Sequence, residues 1–165
     1  KSPKNIKKTE WPEGRDDYLL MAEGLLKRGK EKEALLILKN AMNEMPDDPF
    51  ILSYYGCLIA IVEKKASAGV KFCREAIEKL KRSQPLGEFI YPVFYLNLGR
   101  CYMAGGNKTK ALEVFNEGLR MVAGYPDLLS EIKRLGTRKK PPLSFLPRGN
   151  PLNKYIGLLL SKIKG

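Results

Sequence analysis

The sequence runs to 165 residues with 44% hydrophobic and 29% charged side chains, enough apolar content for one ordinary core. No apolar run approaches the ~18 residues that a membrane-spanning helix needs, and the basic opening KSPKNIKKTEWPEG has no apolar stretch behind it to form a secretory signal. The net charge is +12 and histidine is absent, which removes the commonest general base, the usual nucleophilic triads and the His-containing metal sites. These features predict a soluble, cytoplasmic protein that is not an enzyme and carries no cofactor and no metal. The sequence begins at Lys1 without Met, so upstream residues can have been removed.

In chain order, residues 1–14 form a basic segment in which Trp11, just before Pro12, reads as a hydrophobic lid over the first helix or as a binding anchor. Residues 15–48 then read as a helical hairpin with landmarks Tyr18, Met21-Ala22, Leu25, Gly29, Ala34, Leu38, Ala41 and Pro46. In residues 92–126 the same spacings hold Tyr95, Leu98-Gly99, Tyr102, Gly106, Ala111, Phe115 and Gly118, with Pro126 ending the second helix three residues late. Between them, residues 49–91 offer Leu52, Tyr55-Gly56 and Ile59, then need one extra turn residue to place Gly69, Cys73 and Ala76. An insertion around QPLGEFIY separates this unit from the next. Residues 127–136, DLLSEIKRLG, carry Leu128, Leu129, Ile132 and Leu135 at helical spacing before Gly136 and suit a capping helix.

Other motifs say less. GGNKT at 105–109 has Asn107 where a phosphate loop needs its second Gly, so it reads as a turn between helices. Cys57, Cys73 and Cys101 are an odd number without C-x-x-C spacing, and read as small buried apolar residues rather than a disulfide framework or a zinc site.

The landmark pattern resembles the tetratricopeptide repeat (TPR), a unit of about 34 residues that reads W-x-x-L-G-x-x-Y, then Ala, Phe and Pro. Small residues such as Ala34, Gly56, Gly99 and Ala111 let two antiparallel helices approach, and bulky ones fill the space beside them. The resemblance implies an all-α, right-handed solenoid of three helix-turn-helix repeats (15–48, 49–91, 92–126) with a capping helix and a C-terminal helical extension. It also implies a non-catalytic scaffold that binds a protein or peptide partner in a concave groove lined by the first helix of each repeat. Carried over position by position, that groove falls on Asp16, Leu19, Glu23, Leu26 and Lys27, then Phe50, Ser53, Cys57, Ala60 and Ile61, then Val93, Leu96, Arg100, Met103 and Ala104. The Lys and Asn set with which chaperone-binding members clamp a terminal carboxylate is replaced by Leu19, Glu23, Ser53 and Cys57. What remains is an apolar trough with Glu23 and Arg100 as lone charges.

Charge is concentrated at the ends of the chain. All 18 acidic residues lie within 9–132, whereas residues 1–8 and 133–165 carry only basic ones, including Arg138, Lys139, Lys140 and Arg148. The last segment, 137–165, is a basic, Pro-containing stretch leading to a helix capped by Asn150 and Pro151, with an apolar stripe from Leu152 to Ile163. That helix is expected to dock on its own solenoid, or else to mediate self-association. The tails offer a second functional reading, an acidic partner such as nucleic acid or an anionic membrane.

Overall fold

The computed structural model describes residues 14–83, 91–136 and 156. Trp11, the QPLGEFI stretch at 84–90, the basic residues Arg138, Lys139, Lys140 and Arg148, and the C-terminal helix with its docking lie outside the described residues, except that Ile156 is helical and half-buried. The chain divides into two units, residues 1–132 and 133–165, and the first holds all three hairpins.

Among the described residues seven helices succeed one another: α1 (Arg15–Lys27), α2 (Glu31–Glu44), α3 (Pro49–Val62), α4 (Ala66–Ser83), α5 (Tyr91–Ala104), α6 (Lys108–Met121) and α7 (Pro126–Leu135). They pair as hairpins, α1 with α2, α3 with α4 and α5 with α6, and each hairpin packs on the next. Pro126 opens α7 instead of ending α6, which stops five residues earlier at Met121. A proline suits that first helical position, where its missing N–H costs nothing.

The turns inside the hairpins explain the irregular middle unit. In the first and third, Gly29 (φ 69°) and Gly106 (φ 75°) take the left-handed conformation. The next amide, Lys30 or Asn107, then returns to the carbonyl of Leu25 or Tyr102, five residues back. In the second, Lys64 occupies that conformation (φ 59°) and the Lys65 amide reaches back six residues to Ile59. The one extra turn residue is thus accommodated by a wider loop.

That wider loop is held by charge. Lys39 on α2 and Lys65 both donate to the Glu63 carboxylate, at 2.6 and 2.7 Å. The two hydrogen bonds, Lys39 first, bring the Glu63 pKa from 4.5 down to about 2. A carboxyl whose folded pKa is depressed stabilises the fold above its unfolded value and loses that contribution as pH falls toward the folded one. Glu63→Gln should therefore lower stability at pH 7 modestly, ~0.5 kcal/mol for so exposed a set of charges. In urea melts the difference from the parent should shrink below about pH 4.5 and vanish near pH 2.

Small residues sit where the helices touch. A Cβ added to Gly56 would lie 2.9 Å from the Gly69 carbonyl oxygen, and one added to Gly69 would run into the Gly56 carbonyl. In the third hairpin the Phe115 ring fills the space over Gly99, and Gly118 faces Tyr95 and the Leu128 side chain of α7. α1, α2, α4 and α6 each bury one stripe, as flanking helices do. α3 is covered by α2, α4 and α5, and buries Ile51, Leu52 and Ser53 and then every residue from Gly56 to Ala60. All three cysteines are buried and free, with the Cys73 and Cys101 sulfurs 3.5 Å apart.

Candidate functional site

The first helices of the hairpins meet along one face, and a chain of contacts runs across it from α1 to α7. Arg15 on α1 lies over the Phe50 ring at 4.8 Å, and Phe50 meets Phe94 of α5 edge-on at 5.1 Å. The Tyr54 hydroxyl donates to the Glu23 carboxylate at 2.7 Å, joining α3 to α1. The Asn97 amide donates to the Ser53 hydroxyl at 3.1 Å, joining α5 to α3. Arg100 donates to Glu131 at 2.7 Å, joining α5 to α7.

Two expectations change here. Glu23 and Arg100 are not lone charges: each is engaged by a neighbouring first helix or by α7. Nor does every groove position face outward, because Ser53, Cys57, Ala60 and Leu96 are buried, none of them more than 5% exposed. Where α3, α4 and α5 pack on one another, the side chains at these positions enter the helix contacts and are withdrawn from a partner. Half-buried Leu19, Leu26, Phe50, Ile61, Val93 and Met103 remain at the surface, with Asp16, Lys27 and Ala104 exposed around them.

Sequence reasoning missed Arg15, Tyr54, Phe94, Asn97, Tyr125 and Glu131. One signal was available for two of them: Glu23 to Tyr54 and Arg100 to Glu131 are both separations of 31 residues, one helical turn short of the repeat. Burial raises the Tyr54 pKa, reinforced by its hydrogen bond to Glu23, so the phenol stays protonated and donating. Burial, then Asp127, raises that of Tyr125. Cys57 is pushed well up, first by its hydrogen bond with Cys101 and then by burial. That is the opposite of an activated nucleophile, which needs a lowered thiol pKa.

No known protein-family profile and no curated protein matches the chain. Solved structures do. The second TPR domain of human RPAP3, determined in complex with the HSP70 peptide SGPTIEEVD, superposes with a TM-score of 0.52 at 16% identity, over 73% of this chain and 93% of that one. The chain has the fold of a TPR domain. A further TPR-like comparison, the N-terminal domain of stress-induced protein-1 from C. elegans, gives a TM-score of 0.48 at 18% identity, over 74% and 96% of the two chains. The landmark residues of this TPR fold are the ones at the helix contacts, while its first-helix face carries a residue set of its own.

Proposed function

We propose that this TPR domain is a non-catalytic scaffold that holds a peptide or protein partner on the face formed by α1, α3 and α5. The observation that carries the reading is the pairing of that face's polar groups with one another. Glu23 is taken by Tyr54, Asn97 by Ser53 and Arg100 by Glu131, so what is left toward solvent is chiefly Leu19, Leu26, Phe50, Ile61, Val93 and Met103. A surface with its hydrogen bonds satisfied and its apolar side chains half-covered gains by burying them against a ligand. RPAP3's second TPR domain, which shares the fold, was solved with a peptide. The ligand preferred here differs in kind: with Leu19, Glu23, Ser53 and Cys57 in place of a carboxylate clamp, the face suits apolar side chains rather than an acidic chain end.

The basic tails favour a second reading, because residues 1–8 and 133–165 carry charge of one sign only. Binding of nucleic acid or anionic membrane through them would fall steeply with salt. Peptides selected from a display library against the full chain separate the two. Binders of the first-helix face should weaken about tenfold or more with Phe50→Ala or Met103→Ala, in variants whose melting is checked, and should respond little to salt. Selected binders that ignore both substitutions and are released by 0.5 M salt, a concentration of roughly 4 Å screening length, would point to the tails instead.

A further inference from the structure

A second surface, away from the first-helix face, gathers unused donors. Between the start of α4 and the start of α6 lies a cleft of about 350 Å³ beside the last turn of α5. Ser67, Arg74, Tyr102, Asn107 and Lys110 are its polar lining, and no acidic residue takes part. Neither α4 nor α6 has an acidic residue in its first turn to offset the positive end of its helix dipole.

Tyr102 is the pivot. It is 9% exposed, and its hydroxyl oxygen accepts from the Arg74 guanidinium at 2.7 Å. Its own O–H has no acceptor among the described residues, yet it lines the cleft. A phenol that already accepts from a cation still has its O–H to donate, and here it borders the cleft. The Lys110 ammonium stands 5.9 Å from the centre of the same ring. Neither Arg74 nor Lys110 forms an ion pair among the described residues, although glutamates lie on both helices.

We propose that this cleft binds a phosphate monoester, with Arg74 and Lys110 neutralising the dianion and the Tyr102 and Ser67 hydroxyls donating to its oxygens. Two cations beside one tyrosine match a dianion better than a carboxylate, and the Arg74 fork suits tetrahedral oxygens. The neighbouring cavity, about 480 Å³, shares Arg74, Tyr102 and Lys110 but adds Glu78, Glu113 and Glu117 against the single Lys81. That acidic continuation repels an extended polyanion and favours a compact monoester, one with a basic group near it where it belongs to a peptide. The repeat landmark Tyr102 therefore serves both packing and recognition.

The test is a titration of the ¹⁵N-labelled full chain with inorganic phosphate, at ionic strength held constant with chloride. Saturable shifts are expected at the amides of Ser67, Lys108 and Thr109, with a Kd on the order of millimolar. Arg74→Gln and Lys110→Gln, both at exposed helical positions, should each weaken binding about tenfold, and Tyr102→Phe, which keeps the ring and its packing, should weaken it too, in a variant whose melting is checked. A phosphoserine peptide with a basic residue after the phosphoserine, run alongside, distinguishes the source: tighter binding than phosphate assigns the site to a modified protein, equal binding to a free monoester. Shifts reproduced by chloride alone, confined to the basic tails, or unchanged in the Arg74 and Lys110 variants would overturn the proposal.

Discussion

Gly69→Ala should unfold this protein at distinctly lower urea concentration, although alanine is the better helix former. Inside a helix, replacing Gly by Ala ordinarily gains up to ~1 kcal/mol. At Gly69 that gain is overrun. The new methyl would meet the Gly56 carbonyl, lie 2.7 Å from the Ala60 Cβ and 3.1 Å from the Cys101 sulfur. A backbone oxygen and a Cβ cannot rotate aside, so relief requires α3 and α4 to separate, and overpacking of that kind costs ~1–3 kcal/mol or more. The expected net loss is about 2 kcal/mol. Gly24→Ala on α1 is the matched control, because its nearest neighbour is the end of the flexible Arg28 side chain at 3.5 Å. It should stabilise by ~0.5–1 kcal/mol. Opposite signs for the same chemical change would establish that the α3–α4 contact is set by residue size, and equal signs would sink that account.

This contact also shows why so much of the fold could be read from the sequence. Two helices that nearly touch demand the smallest residue at a fixed place, and Gly56 opposite Gly69, like Gly99 under the Phe115 ring, meets that demand directly. Spacing of this kind survives as a pattern because no neighbour can substitute for missing volume. Even the extra turn residue of the second hairpin is legible in its landmarks, since Gly69 lies 13 residues after Gly56 where Ala111 lies 12 after Gly99.

The first-helix face was legible only in part, for two physical reasons. Equivalent positions in successive repeats are not equivalent in burial: Glu23 on the first helix of the row is half-exposed, whereas Cys57 is 5% exposed because its helix has neighbours on more sides. Charge pairing is set by the offset between first helices, not by position within a repeat. Tyr54 and Glu131 stand at positions that a groove template passes over, yet they decide whether Glu23 and Arg100 are available. The donor-rich cleft was hidden for a third reason, since Arg74, Tyr102 and Lys110 belong to three different helices and only their packing brings them together.

The availability of Arg100 can be measured. Its side chain is 35% exposed, but the Glu131 side chain that it meets at 2.7 Å is only 7% exposed. Truncating Arg100 leaves a carboxylate in a place where water reaches it poorly. Removing one partner of a fully buried pair costs ~3–5 kcal/mol; with Arg100 partly solvated, about 2 kcal/mol is expected for Arg100→Ala in urea melts at pH 7. Glu131→Gln in the same background removes the remaining buried charge while keeping its shape, and should return about half of the loss. The coupling in the double-mutant cycle reports the pair itself. A free recognition arginine behaves otherwise: its removal leaves the urea midpoint unchanged and weakens only the partner. If Arg100→Ala melts like the parent, Arg100 belongs to the ligand and the face is more polar than its internal pairing implies. A loss of the expected size assigns Arg100 to joining α5 with α7, and leaves Phe50, Val93 and Met103 to meet the partner.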